Sequence, residues 1–519
     1  MKRDFSALQG AFDLLVCGGG IYGAWTAYDA ALRGLRVALV EQGDWAGATS
    51  CASSKLVHGG LRYLETYDFR LVKKALKERA RLLRNAPHRV WPLRFGVPVY
   101  DDSRNGALKL KAGLILYDLL AGFPGREMEH RGFGRAGFLQ HFPFLAAHGL
   151  RGGFTYGDAQ TDDARLVLEL VAGAQAAGAV CVNYARLEAW REEAGRVCGA
   201  MVRDAETGAQ AAVRAAQCVD AAGAWIAQTP EGRDWCRLSS GVHLVLPALP
   251  SDEAILLTAP CDGRVFFIIP WYGRTLLGTT DIDYAGDPAR VAVEVRDIDY
   301  LLTAANRYLG TAWTRADVIG SYAGLRVMKR SDAAHPSAAS RDWELKTGSN
   351  GLLHSVGGKL TSAREDAAVI VDAVCRRLGR TAACATAERG LPWKPQPAFA
   401  SWQEAMAIHA RLTGVDEESA RWLLRRHGAR SEEVLRIADA EPRHAARLLP
   451  DLPFIGADLL FCARDEMVLH LPDLLRRRLP LLILARLDEA ALYRLAALVA
   501  PELGWDSGRI GQEVAACKG

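Results

Sequence analysis

Gly18-Gly19-Gly20-Ile21-Tyr22-Gly23 follows directly on the apolar run Phe12–Cys17, so three glycines stand in a G-x-G-x-x-G spacing. Gly18 permits a tight turn, Gly20 lets a backbone approach a pyrophosphate, and Gly23 lets the next helix pack close to the sheet. Glu41 closes a second apolar run some twenty residues on, where a carboxylate accepts hydrogen bonds from ribose hydroxyls. This is the chemistry of a dinucleotide laid across a helix N-terminus, whose N–H groups and dipole favour the diphosphate. The acid argues against a 2′-phosphate, for which an arginine is expected. The pattern alone leaves NAD and FAD open. Its place at the start of a long chain favours FAD threaded through a discontinuous domain.

Two further segments hold polar groups in glycine-rich settings. From Gly47 to Glu65 the chain is dense in small hydroxyl residues and also carries Lys55, His58, Arg62 and Tyr63. Such a loop offers many donors at little steric cost and suits phosphates and an isoalloxazine edge. Thr49, Ser50, Ser54, His58, Gly59 and Gly60 are therefore cofactor-binding candidates. Gly357-Gly358-Lys359-Leu360-Thr361 opens a helix predicted over residues 361–378. Gly358, Lys359, Leu360 and Thr361 are suited to holding the pyrimidine edge of a flavin, with the Lys359 ammonium toward substrate or the N1 region. For a general base near neutrality there are two histidines to weigh, His243 ahead of a Leu244-Val245-Leu246 strand and His58 in the first loop. The plainer readings are a Ser/Gly connector, a lysine snorkelling from a strand end and a satisfied structural histidine. Tyr63 serves equally as a substrate hydrogen-bonding group or a core aromatic.

The segment 48–65, ATSCASSKLVHGGLRYLE, resembles the ATSSASSKLIHGGLRYLE of the FAD-dependent glycerol-3-phosphate dehydrogenases of aerobic respiration. GGGIYGAW is similar to their GGGINGAG. The likeness continues through Asp158–Leu166, Val219–Trp225, Ile268–Trp271, Gly278–Asp281, Ser321–Arg326, Ser340–Asp342 and Val356–Ser362. It is strong over residues 12–392 and weak beyond.

The resemblance implies oxidation of sn-glycerol 3-phosphate to dihydroxyacetone phosphate, with FAD as cofactor and a membrane quinone as acceptor. It implies Gly223 near the FAD and His243 over the flavin as base. It implies Arg341 on the substrate phosphate and Arg326 between the phosphate and the reacting hydroxyl, since guanidinium groups bind phosphate bidentately. Arg326, Lys359 and His243 form the expected catalytic set; Tyr63, Arg326, Arg341 and Lys359 form the expected substrate set. The alternatives are a related oxidase using O2, for glycerol phosphate or an amino acid, and a non-catalytic flavin-binding regulator. Tyr22 stands where the family has Asn, Ser239-Ser240 where a Lys is common, and Val327-Met328 where Pro-Leu is common.

The elements that must position these residues are of class α/β plus α. A discontinuous Rossmann-like FAD-binding domain is expected over 12–85, 151–235 and 320–392. A substrate domain with an antiparallel sheet is expected over 86–150 and 236–319. A Pro-rich linker at 391–397 then leads to an all-helical cap domain over 400–519. The 519 residues are 50% hydrophobic and 24% charged, which excludes wholesale disorder. A net charge of +4 is too mild to suggest nucleic acid. Eleven cysteines without C-x-x-C spacing give no metal motif and favour free thiols in a reducing compartment. Met1–Ala11 lacks the apolar core of a signal peptide, and no apolar run matches a bilayer span. The expected location is cytoplasmic, peripheral to the inner face of the cytoplasmic membrane, with a homodimer allowed. Two basic-apolar stretches could touch lipid. Phe69–Arg84 reads slightly better as a core helix, and Lys109–Leu120 is the better membrane candidate.

Overall fold

The computed structural model describes residues 1–330, 342–396 and 398–518. Phe12–Val16 is buried throughout, as befits a strand covered on both faces. The strand Ala11–Cys17 runs parallel to Val37–Val40 on one side and to Gln210–Asp220 on the other. The sheet continues through Leu353–Val356 to Glu344–Thr347, and through Val37–Val40 to Val180–Val182. Side chains alternate between its faces. Leu14 and Val16 meet the helices Ile21–Leu32, Asp163–Ala176 and Ala363–Arg377. Leu15 meets the layer formed by the hairpin strands Ala185–Glu193 and Arg196–Asp204. The helix after the glycine turn forms as Ile21–Leu32, and the helix expected at 361–378 forms as Ala363–Arg377 after one tight turn, Leu360–Ser362.

A second, ten-stranded sheet lies beside the first. Its pairings are antiparallel except between Val90–Tyr100 and Ala254–Thr258. The strands Leu150–Thr161 and Gly320–Lys329, which fall almost wholly in ranges expected for the FAD-binding domain, pair within this second sheet. Leu150–Thr161 pairs along its length with Val90–Tyr100, and Gly320–Lys329 with Cys236–Pro247. Leu56–Val57 joins it as well. The physical reason is that each of these strands completes an antiparallel ladder, whose hydrogen bonds would otherwise be unmade. From residue 398 on, the described chain is helical apart from one bridge between Arg447 and Ile455.

Helix Phe69–Asn85 is mostly a core helix, with Leu71, Val72, Leu76 and Leu82 buried. Helix Ala107–Leu120 buries only Leu114, Tyr117 and Asp118, leaving Leu108, Ile115 and Leu119 exposed.

Helix Asp163–Ala176 buries charge on the face that meets the C-terminal region. Arg165 grips both carboxylate oxygens of Glu466 and donates to the Arg426 carbonyl at 2.8 Å. One turn on, Glu169 accepts from Arg89 at 3.0 Å and from the Trp393 N–H at 2.9 Å, and meets His88 at 3.0 Å. Burial raises the Glu169 carboxyl, but His88 and Arg89 outweigh it and hold its pKa at about 2. Asp458 binds Arg426 and His427 in the same layer. Removing one partner of such a cluster strands the others without counter-charge, at about 3–5 kcal/mol. Glu466→Ala is therefore expected to destabilise the chain by about that amount. Thermal unfolding checks this; a melting temperature equal to the wild type's would show the cluster to be energetically idle.

Candidate active site

A cavity of about 1080 Å³ lies between the two sheets, lined from Glu41 and Trp190 past the glycine turn to His243, Arg326 and Lys359. It is slightly larger than the usual range for small-molecule sites. The turn beside it is closed to any side chain. Gly18 has φ +109°, and a Cβ there would stand 2.5 Å from the Ala221 carbonyl oxygen; at Gly23 it would stand 1.8 Å from the Gly18 oxygen. Gly20 lines the cavity, and the Ile21 N–H at the helix start donates to Ser50 Oγ at 2.9 Å. This cradle fits a dinucleotide phosphate, which needs bare backbone at close approach. Glu41 is partly committed: its oxygens accept from the Gly19 N–H at 2.6 Å and the Gly43 N–H at 2.9 Å. Each oxygen keeps a second lone pair for a ribose hydroxyl. Burial pushes the Glu41 pKa up against these two bonds.

The second glycine turn meets the first through Tyr22. Gly358 has φ +102°, and a Cβ there would lie 1.8 Å from the Tyr22 hydroxyl oxygen. That hydroxyl accepts the Lys359 N–H at 2.9 Å and donates to Asp366 at 2.8 Å. The tyrosine that replaces the family's asparagine thus ties two helix starts together. The Lys359 ammonium lies 3.6 Å from the centre of the Tyr63 ring. Leu360, Thr361 and Gly223 line the cavity, and Thr361 Oγ1 accepts the His58 N–H at 3.2 Å.

His243 projects from the strand Cys236–Pro247. Its Nε2 lies 2.8 Å from Ser54 Oγ, and its ring stacks on Tyr322 at 4.9 Å. Burial, then the charges of Arg326 and Lys55, lower its pKa well below that of free histidine, so the ring is neutral at neutral pH. Arg326 donates to the Thr280 carbonyl at 3.0 Å and to Thr279 Oγ1 at 2.6 Å, and its guanidinium occupies the space a side chain at Gly241 would fill.

Two of the expected cofactor-binding residues also hold the loop in place. Gly59 does not line the cavity: a Cβ there would strike Leu76 and Tyr117 at 2.4 Å, so its bareness serves packing. Thr49 borders the cavity, but its hydroxyl donates to the Leu325 carbonyl at 2.7 Å and fastens the loop to the second sheet. Arg341 lies outside the described residues. Lys55, noted from sequence only as one of the loop's polar residues, is buried and binds Asp163 at 2.7 Å and the Cys51 carbonyl at 2.5 Å, fixing the loop that presents Ser54. Arg477, a cavity-lining residue from the C-terminal region and the second of three successive arginines, was not among the site residues expected from sequence.

Residues 13–364 match the family model described as FAD dependent oxidoreductase, and residues 393–510 match the C-terminal domain of alpha-glycerophosphate oxidase. The chain is 34% identical to a glycerol-3-phosphate dehydrogenase of Synechocystis sp., over 99% of this chain and 97% of that one. It is 37% identical to glycerol-3-phosphate dehydrogenase 2 of Mycobacterium tuberculosis, over 97% of this chain and 87% of that one. Among solved structures it is similar to the glycerol-3-phosphate dehydrogenase of Bacillus halodurans complexed with FAD. There the TM-score is 0.79 and the identity 29%, covering 98% of this chain and 94% of the other.

Glu41→Gln replaces one of two acceptor oxygens with an NH2 group facing an N–H donor. It is expected to weaken dinucleotide binding by about 1.5–3 kcal/mol and leave substrate choice unchanged. Titration of the cofactor-free variant with FAD tests this, and wild-type affinity would place the ribose elsewhere.

Proposed function

The chain belongs to the FAD-dependent glycerol-3-phosphate dehydrogenases, and from that premise we propose that it oxidises sn-glycerol 3-phosphate to dihydroxyacetone phosphate and passes the electrons to a quinone at a membrane surface. What supports the reading is the meeting of His243, Arg326 and Lys359, from three separate segments, on one cavity. Bound there, FAD supplies the hydride acceptor for the C2 hydrogen. His243 takes the hydroxyl proton through Ser54, whose hydroxyl passes its own proton to Nε2 as it accepts the substrate's, and the stacked Tyr322 ring sets the imidazole plane. Its depressed pKa keeps it unprotonated and ready to accept. Arg326 and Lys359 bring positive charge to a dianionic phosphate, and Tyr63 braces the Lys359 ammonium. Arg341 joins them on the sequence resemblance alone.

His243→Ala is expected to slow flavin reduction at saturating substrate by about 10²–10⁴-fold with little change in substrate affinity, because it acts on the transition state. In the wild type the lowered imidazole pKa places the histidine's acid limb of kcat/KM below pH 6.5, the usual histidine value. Anaerobic stopped-flow with glycerol 3-phosphate across pH tests both. Bleaching at the wild-type rate would move the base elsewhere, and rapid peroxide formation in air would favour an oxidase.

No described helix is long and apolar enough to cross a membrane. Tyr67, Phe69, Leu108, Ile115, Leu119 and Phe123 are exposed, at 78% for Tyr67 and 86% for Leu108. They lie on helix Ala107–Leu120, in the neighbouring turns and at the start of helix Phe69–Asn85, beside exposed Lys109 and Lys111. Asn105 donates to Glu65, and Glu65, Thr66 and Arg104 line the cavity, so the apolar patch adjoins an edge of the site. An apolar face with basic residues suits the surface of an anionic bilayer, here the inner face of the cytoplasmic membrane. Leu108→Glu with Phe123→Glu is expected to abolish co-flotation with anionic vesicles while leaving glycerol 3-phosphate-driven flavin bleaching intact. Unchanged flotation refutes the patch, and a loss of self-association in its place would assign it to a second copy of the chain.

A further inference from the structure

The helical turn Leu474–Arg478 sits more than four hundred residues from the glycine turn in sequence and touches the same cofactor cavity in space. Arg478 holds both oxygens of Asp44, at 2.6 and 2.8 Å, and returns to the Glu466 carbonyl at 2.9 Å. Arg477 donates through Nε to the same carboxylate at 2.5 Å and through Nη2 to Asp473 at 2.6 Å. Burial raises the Asp44 carboxyl, and the two arginines outweigh it and hold it at about 2. The loop they grip lies over the glycine turn. The Ala46 N–H donates to the Gly19 carbonyl at 3.0 Å, and a Cβ on Gly19 would lie 2.5 Å from the Trp45 ring. Trp45 Nε1 in turn donates to Met467 Sδ at 3.3 Å, again in the C-terminal region.

Arg477 differs from Arg478 in one respect. It lines the cavity, with Glu41, Asp44 and Ser50 also on the wall, and Arg478 does not. A guanidinium is a rigid fork of five N–H donors. Nε and Nη2 of Arg477 are fixed by two carboxylates, which orients the fork, and Nη1 has no hydrogen-bond partner among the described residues. A cation held this firmly, on a wall shared with the ribose-binding acid and the helix-start serine, matches an anionic oxygen of a dinucleotide.

We propose that Arg477 is a cofactor-binding residue whose Nη1 donates to the diphosphate–ribose segment of FAD, so that the C-terminal helical region completes the site that the N-terminal glycine turn begins. The full-length protein, stripped of flavin and titrated with FAD, tests this. Arg477→Met is expected to weaken FAD binding about ten- to hundredfold and to shrink the rise in melting temperature that FAD produces, beyond any drop in the melting temperature of the flavin-free protein. Arg477→Lys keeps the charge but not the fork, and is expected to bind FAD more weakly than the wild type and more tightly than Arg477→Met. Arg477→Met that binds FAD within twofold of the wild type, with an undiminished thermal shift, overturns the proposal and leaves Arg477 a tie between segments. Should that variant fail to fold, wild-type FAD affinity in Arg477→Lys overturns it equally. Neither readout passes through catalysis, so the result is independent of the acceptor and of the base assigned above.

Discussion

The structure turns on the charges that helix Asp163–Ala176 buries. Its cap Asp162 accepts the Tyr272 hydroxyl from the second sheet. Its first residue, Asp163, holds Lys55 and Ser53 of the loop that presents Ser54 to His243. Arg165 reaches Glu466, and Glu169 reaches Arg89 and the start of the C-terminal region at Trp393. One helix therefore fastens the flavin loop, the second sheet and the helical region at once. Burying isolated charge is costly, and the cost is offset only when every partner is in place. The requirement makes the relative placement of the three parts nearly all-or-none, which a purely apolar interface would not.

A second consequence concerns the imidazole. Lys55 satisfies Asp163 at close range and also places positive charge near His243. The group that secures the loop therefore also disfavours protonation of the base. Arg326 acts in the same direction from the neighbouring strand. Structure and acid–base tuning are supplied by the same side chains, so few substitutions here can alter one without the other.

Where backbone geometry dictates residue type, the sequence was legible. Gly18, Gly23 and Gly358 admit no side chain, and Glu41 is fixed by its place at a strand end. Where two physical causes select the same residue, sequence does not separate them: Gly59 yields space to Leu76 and Tyr117, a need that looks in sequence like close approach to phosphate. The sheet to which strands Leu150–Thr161 and Gly320–Lys329 belong was not legible, because pairing partners tens of residues away leave no local trace. No site role was expected of Arg477 for the same reason, its carboxylate partner lying 433 positions earlier.

The first sheet has a consequence for synthesis on the ribosome. Strand Ala11–Cys17 emerges some two hundred residues before its neighbour Gln210–Asp220, and Leu353–Val356 follows later still. At ordinary translation speeds of roughly 5–20 residues per second, the opening half-sheet waits on the order of 10–40 s with one edge unpaired. An unpaired, apolar parallel strand is a template for wrong partners. The nascent chain thus passes an interval in which that edge must be kept from wrong partners before the sheet can close.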